Sequence, residues 1–258
     1  MADELRFFLT ALGYFTRVPL PRRLAGWVGF QPYYLNAAAR YFALVGLLIG
    51  VAGALATWGA LLLWTPSVAV ALGMVATLML TGAFHEDGLA DCVDAFGGGY
   101  RREDVLAIMH DSRVGAFGAI AIVMALLLKW QLLLATGDAG GLAVLLAVVV
   151  AGHGASRAMA ITFLATHQYV RAEGRAKPVA QRLAGTGLVF ALACGVVPLA
   201  LLGAQFAGVV IVVLGVVRAA LGAYFVRRLG GYTGDCLGMA QQIGELSIYL
   251  VAAAWTWS

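Results

Sequence analysis

Long apolar runs alternate with short polar connections along nearly the whole chain. Six runs are 18 to 24 residues long, and a seventh reaches crossing length only if polar residues 238–242 extend it. A helix needs about 20 apolar residues to cross the hydrocarbon core of a bilayer, so the pattern predicts about seven transmembrane helices. The predicted spans are 41–64, 67–84, 114–136, 142–164, 184–204, 206–226 and 243–257.

The N-terminal segment 1–40 differs from these runs. Residues 5–15 mix Arg6 and Thr10 with large apolar side chains, and Pro19 and Pro21 follow closely. This pattern predicts an interfacial helix, and no cleavable signal peptide is apparent. The expected fold is an all-α polytopic integral membrane helical bundle that forms a single membrane domain over residues 1–258.

Composition supports this fold class. Of the 258 residues, 62% are apolar and 12% are charged, whereas a soluble domain carries about 25% charged residues. Three cysteines and no short regular period argue against disulfide-stapled, collagen-like or disordered chains. The bilayer is therefore an expected partner, and a homo-oligomer stays open.

Basic residues alternate from one connection to the next. The successive connections hold five, none, three, none, four, none and two Lys or Arg residues. Because loops retained in the cytoplasm are basic, this predicts an inner-membrane protein whose N-terminus faces the cytoplasm. The net charge of +4 follows from these loops and requires no nucleic-acid partner. Arg157 and Arg218 fall inside predicted spans and need partners there.

The predicted cytoplasmic loop 85–113 is acidic, with seven carboxylates against three arginines. Asp87, Asp91 and Asp94 are spaced i, i+4 and i+7, which places them on one face of a helix. Three like charges on one face favour a bound divalent cation. Oxygen ligands, with no cysteine or paired histidine at ligand spacing, favour Mg²⁺ or Mn²⁺ over Zn²⁺, so we expect Mg²⁺ as the cofactor.

A second short helix is predicted over 101–110, after a break at 97–99. It brings Asp104 and Asp111, so the loop is expected to fold back as two acidic faces around one or two ions. The alternative is a solvated helix end whose acids pair with neighbouring arginines. His110, beside Asp111, is a candidate general base or an ordinary interfacial residue.

Further polar residues are predicted to lie on the same side of the membrane. His153 and Arg157 are spaced i, i+4 in the fourth span and would contact a substrate phosphate or form a structural salt bridge. Asp235 follows a glycine-rich turn and would bind phosphate or metal, or cap a helix. Lys177 would meet nucleotide phosphates, although retention of basic loops in the cytoplasm also explains it.

Carboxylates that hold magnesium at a membrane surface, with arginine nearby, suit displacement at phosphorus. No Walker loop or serine-nucleophile motif occurs in a strand-turn-helix setting. Two rivals stay open. One is a CDP-alcohol-type phosphotransferase, which the D-G-L-A-D run at 87–91 resembles only weakly because it lacks an arginine. The other is a divalent-ion-coupled transporter, which predicts ionisable residues near the midplane and an inverted repeat.

Four motifs in order resemble the cobalamin synthase family. They are F-x-T-R-V-P-L-P at 15–21, loosely, G-A-F-H-E-D-G-L-A-D at 82–91, I-M-H-D-S-R-V-G-A-F-G at 108–118 and G-G-Y-T-G-D-C-L-G at 230–238. The resemblance extends over most of the chain, from about residue 8 to 245.

The resemblance implies a magnesium-dependent transferase in the last stage of cobalamin nucleotide-loop assembly. It would join adenosylcobinamide-GDP to alpha-ribazole, or its 5'-phosphate, and release GMP. The ribose 3'-hydroxyl would attack the phosphorus attached to cobinamide. On this interpretation Asp87, Asp91 and Asp94 hold Mg²⁺ on the pyrophosphate, Asp111 completes the site or acts as base, and Arg113 steadies the phosphate.

Overall fold

The computed structural model describes residues 2–29, 31–171, 183 and 185–257, and their secondary structure is almost entirely helical, as expected. The helices are α1 (Ala2–Phe15), α2 (Arg22–Val28), α3 (Pro32–Ala38), a 3₁₀ turn (Ala39–Tyr41), α4 (Phe42–Ala60), α5 (Pro66–Thr81), α6 (Phe84–Gly98), α7 (Arg102–Ile108), α8 (Ala116–Thr166), α9 (Gly185–Leu201), α10 (Ala204–Leu229) and α11 (Gly234–Ala253).

The 51-residue helix α8 is a hairpin of two halves, 116–140 and 142–166. Gly141 has φ 78° and ψ 178°, which is not helical. In a straight helix, Lys129 and His153 would lie about 36 Å apart, at 1.5 Å per residue. Both side chains instead contact Glu245. The chain therefore reverses at Gly141, between the two spans predicted for this region.

Helices α5 and α6 do not run on as one straight helix. Gly82 and Ala83 both have positive φ, at 64° and 55°, and the two helix axes differ by 86°. The two helices therefore form a bent pair, in which α6 departs from the axis of α5 at nearly a right angle. The break predicted at 97–99 is confirmed, because α6 ends at Gly98.

Three described helical segments are long and apolar enough to cross a membrane: Tyr33–Ala60, Ala116–Thr166 and Ala204–Leu229. The bent pair Pro66–Thr81 and Phe84–Gly98 would make a fourth, and Gly185–Leu201 is a shorter apolar helix. These findings confirm an all-helical membrane protein. The number of seven spans stays a prediction.

Glycines allow the central helices to approach closely. A Cβ at Gly50 of α4 would lie 2.8 Å from the Cα of Val150, and one at Gly152 would lie 2.5 Å from the Tyr249 ring. Small residues at such contacts let helix backbones pack closely, which stabilises bundles in lipid. The second half of α8 is consequently wedged between α4 and α11.

Long-range bonds gather several connections at one end of the bundle. Arg228 at the end of α10 donates to the carbonyl of Gly99, and Arg102 donates to the carbonyl of Leu229. At the opposite end, Trp257 packs against Phe206. The end that contains 96–113 and 228–235 carries the acidic helix, and we call it the acidic end.

Candidate active site

The acidic helix α6 lies directly against the start of α11. A Cβ at Gly88 would lie 2.9 Å from the carbonyl oxygen of Asp235 and 3.2 Å from the Cα of Gly238. Both neighbouring atoms are backbone, so only glycine fits without separating the helices. This crossing brings the predicted acids of α6 to Asp235.

Asp87, Asp91 and Asp235 form one electrostatic group. Asp87 is exposed, whereas Asp91 and Asp235 are partly buried. Burial, together with the nearby carboxylates of Asp235 and Asp87, raises the pKa of Asp91 to about 7. Burial likewise raises the pKa of Asp235, although a nearby Arg171 opposes the shift. Confined negative charge of this kind favours a cationic ligand.

Arg171 supplies a positive charge at this group. Its Nη2 lies 2.9 Å from Asp235 Oδ2 and donates to the Met109 carbonyl at 3.0 Å. A short backbone bridge positions this segment, because Tyr232 N–H donates to the Gln168 carbonyl. The residues after α8 are thus fixed beside the turn before α11, and Arg171 reaches both Asp235 and the end of α7.

Asp235 sits in the first turn of α11, where the Thr233 hydroxyl accepts a hydrogen bond from the Cys236 amide. Helix capping is one of the roles predicted for Asp235 from the sequence, but it is Thr233 that caps α11. The Asp235 carboxylate instead pairs with Arg171 and accepts a hydrogen bond from the Thr233 hydroxyl at 3.4 Å.

Asp94 has a different environment from the one predicted. Its oxygens accept hydrogen bonds from the amides of Gly115, at 2.7 Å, and Gly118, at 2.8 Å. The carboxylate therefore caps the N-terminus of α8, where orphan amides and the helix dipole favour a negative charge. Although Asp94 shares a helix with Asp87 and Asp91, its lone pairs are engaged elsewhere.

Asp104 and Asp111 also do not join the group on α6. Asp104 pairs with Arg101 at 3.0 Å, and Asp111 pairs with Arg113 at 2.5 Å. The Arg113 partner lowers the pKa of Asp111 to about 2, which weakens it as a base near neutral pH. His110 is exposed beside this pair. The loop does not fold into the two facing acidic surfaces that the spacing suggested.

Within the described ranges, no group of three or more His, Cys, Asp or Glu side chains is arranged to hold a metal ion. The four-carboxylate arrangement of Asp87, Asp91, Asp94 and Asp104 is thus not assembled in the structure. The carboxylates brought together are those of Asp87, Asp91 and Asp235. Predicted Lys177 lies outside the described residues.

His153 and Arg157 lie in the bundle interior. The Arg157 side chain is buried, with 1% of the residue exposed, and it donates to His153 Nδ1 and to the His153 carbonyl. Its guanidinium lies 5.7 Å from the Phe42 ring centroid. Among the described residues, no carboxylate forms a direct salt bridge with Arg157, and its contact with a substrate phosphate stays a prediction.

Glu245 is the centre of a buried polar network that spacing did not reveal. Lys129 Nζ lies 3.0 Å from its Oε1, Gln241 donates to its Oε2 at 2.5 Å, and Tyr249 donates at 3.1 Å. Gln242 extends the network by donating to Glu86 Oε1 at 2.8 Å. The network ties α11 to both halves of α8 and to the start of α6.

The sequence patterns predicted neither the contact of Arg171 with Asp235 nor the buried network around Glu245. Arg171 was counted only as one basic residue of a loop, and no local motif marks its contact with Asp235. Gln241, Gln242 and Glu245 are buried in the bundle interior. Lys129, the partner of Glu245, is buried as well.

The fold and this site define a polytopic helical membrane protein with a carboxylate and guanidinium site at one end. The sequence profile of the cobalamin-5-phosphate synthase family, CobS, matches residues 7–253. The chain belongs to this family.

Named relatives cover nearly the whole chain. It is 55% identical to the adenosylcobinamide-GDP ribazoletransferase of Ralstonia nicotianae, over 99% of this chain and 98% of the relative. It is 58% identical to the enzyme of that name from Ralstonia pickettii, over 95% and 94%. The enzyme of Shewanella frigidimarina is 46% identical, over 97% and 95%. No solved structure matches the chain.

Proposed function

We propose that the chain is an adenosylcobinamide-GDP ribazoletransferase. It would join adenosylcobinamide-GDP to alpha-ribazole, or to its 5'-phosphate, and release GMP. The observation that carries the proposal is the convergence of Asp87, Asp91, Asp235 and Arg171 at the crossing of α6 and α11, in a chain of the CobS family.

The reaction is a displacement at phosphorus. The ribose 3'-oxygen forms a bond to the phosphorus attached to cobinamide, and the bond between that phosphorus and the bridging oxygen breaks. GMP departs with the electron pair, and the 3'-hydroxyl loses its proton. Catalysis of such a step depends mainly on positioning and on neutralising charge.

The donor set fits magnesium. Asp87, Asp91 and Asp235 offer carboxylate oxygens, and Mg²⁺ typically takes one or two carboxylates while substrate phosphates and water complete its shell. A three-carboxylate cage is therefore not required. When bound, the ion would neutralise pyrophosphate oxygens and the leaving GMP. Asp94 and Asp104, which were predicted as further ligands, already have other partners.

The chain's own cations complete the charge pattern. Arg171 holds Asp235 and presents a planar guanidinium suited to phosphate oxygens. Arg113 is exposed and pairs with Asp111, so a phosphate could compete for it. The base role of Asp111 or His110 and the phosphate contacts of Arg113 and Lys177 stay predictions.

We further propose that the acidic end faces the cytoplasm of a bacterial-type inner membrane. Two arguments support this orientation. The connections that meet at the acidic end are the basic ones, which are retained on the cytoplasmic side. The GMP that the reaction releases is a water-soluble nucleotide of the kind found in the cytoplasm, whereas the large corrinoid can partition to the membrane surface.

The test uses the full chain reconstituted in phospholipid vesicles. GMP release from adenosylcobinamide-GDP is measured with and without alpha-ribazole and Mg²⁺, together with the corrinoid product. We expect GMP and the corrinoid product to form in equal amounts, and only when alpha-ribazole and Mg²⁺ are both added. GMP release that needs neither would refute the transferase mechanism, and release of CMP from a CDP-alcohol would favour the phosphotransferase alternative.

A further inference from the structure

A second feature lies away from the acid group, between the second half of α8, α9 and α10. It is a groove of about 270 Å³. Its lining is apolar apart from two threonines and one arginine at one end. The apolar residues that define it are Ala155, Met159, Leu192, Leu199, Ile211 and Leu214.

The polar end of the groove is built around Arg218. The guanidinium donates from Nε to the Thr162 hydroxyl at 3.1 Å and also contacts the Thr166 hydroxyl. The same nitrogen, Nη2, that contacts Thr166 lies 3.4 Å from His167 Nδ1. The Phe163 ring centroid lies 4.8 Å from Arg218 Cζ. The arginine is therefore held in place by neutral groups.

No carboxylate pairs with Arg218 in the part of the chain that the structure describes. A cation on a membrane helix without an acidic partner is costly unless water or an anion compensates it. The guanidinium is only partly buried, so it can accept an anion from outside the protein. Charge complementarity thus specifies a negative group at this end.

The length of the groove matches one lipid chain. From Ala155 to Thr166 the α8 axis rises about 16 Å, at 1.5 Å per residue. Half of the hydrocarbon core is about 15 Å thick. An acyl chain that starts at the headgroup level near Thr166 would therefore extend to the bilayer midplane along the apolar lining.

We propose that this groove is a specific site for an anionic phospholipid. Its phosphate lies at Arg218, with the Thr166 hydroxyl and His167 beside it, and one acyl chain follows the groove between α8, α9 and α10. Guanidinium groups bind phosphate oxygens with matched geometry, and basic pockets between membrane helices select anionic headgroups. The inference does not depend on the proposed reaction.

The probes are phosphatidylglycerol and phosphatidylcholine with identical acyl chains. The full chain is purified in detergent, and retained lipid is measured by native mass spectrometry during titration with each lipid. We expect one retained phosphatidylglycerol per chain and a preference over phosphatidylcholine of about fivefold, from about 1 kcal/mol per basic residue. Arg218→Gln should remove the preference, and Arg218→Lys should keep most of it. Arg227→Gln, on the same helix, should leave it unchanged.

A glycine pair tests the groove itself. A Cβ at Gly215 or at Gly208 of α10 meets no atom within 4 Å, so the first carbon of a side chain fits at both positions without a clash. Only Gly215 lines the groove. Gly215→Leu should block retention of phosphatidylglycerol, and Gly208→Leu should not. Equal retention of both lipids, an unchanged preference in Arg218→Gln, or equal effects of the two leucines would overturn the proposal.

Discussion

Removing the charge of Lys129 is expected to destabilise the bundle severely. The Lys129 and Glu245 side chains are 7% and 1% exposed, and their charged atoms are 3.0 Å apart. In Lys129→Met, Glu245 keeps its hydrogen bonds from Gln241 and Tyr249 but loses its nearest cation. The variant therefore contains a buried carboxylate with incomplete compensation.

Breaking a buried ion pair on one side costs about 3–5 kcal/mol, because the remaining charge stays desolvated. For a chain of this size, 1 kcal/mol shifts the unfolding midpoint by about 2–4 °C. Lys129→Met should thus lower the midpoint by roughly 6–20 °C. Adding Glu245→Gln removes the stranded charge, so the double variant should be less destabilised than the sum of the single variants predicts.

The assay is thermal unfolding of the purified protein in one detergent, with wild type and variants compared side by side. Arg101→Met is the matched control, because its ion pair with Asp104 is exposed, with side chains 78% and 41% accessible. An exposed pair contributes about 0–1 kcal/mol. If Lys129→Met melts within the range of Arg101→Met, the buried pair does not contribute the expected stability.

Three further outcomes are expected. Gly88→Ala should lose about 1–3 kcal/mol of stability and most transferase activity, because its Cβ would meet backbone at Asp235. In the presence of a chelator, raising the pH from 5 to 8 should lower the stability of the wild type. Asp91 is partly buried and its pKa is about 7, so its ionisation is less favourable in the folded than in the unfolded state. Asp91→Asn should therefore flatten this pH dependence. Arg171→Gln should lower kcat/KM by about 10-fold or more without a comparable loss of stability.

Each of these outcomes has its own control. Gly59→Ala adds a Cβ that meets nothing within 4 Å and should be neutral. Asp104→Asn removes an exposed carboxylate whose pKa Arg101 lowers, so it should not flatten the same stability profile. Arg227→Gln removes a charge that stacks on Tyr224 and should keep kcat/KM. If a control variant shows the same effect as its test variant, the role argued for the corresponding contact is wrong.

Apolar run length was sufficient to locate most long helices. It placed α4 and α10 within a few residues, and the small polar segment 137–141 marked the reversal of α8 at Gly141. It could not show the bend before α6. Gly82 suits the positive φ at the end of α5, but Ala83 also has a positive φ, which non-glycine residues seldom adopt, so residue preference marks only part of that turn.

The part of the site that depends on local residue spacing could be predicted from the sequence. Helical periodicity placed Asp87 and Asp91 on one face, and a motif drew attention to Asp235. Asp94 has the same spacing, but amides more than 20 residues away engage it. Arg171 likewise reaches Asp235 only through the bridge between Tyr169 and Tyr232. Such long-range contacts leave no local periodic pattern.

The central claim is that the chemistry occurs where α6 crosses α11. It is tested most directly by transferase rates of Asp91→Asn and Asp104→Asn, with equal membrane insertion verified. Asp91 belongs to the group with Asp235, whereas Asp104 has an exposed pair with Arg101. We predict that Asp91→Asn loses at least about 100-fold in kcat/KM, or about 2.7 kcal/mol, and that Asp104→Asn stays within about twofold of wild type. Full activity in Asp91→Asn, or an equal loss in both variants, would contradict the account.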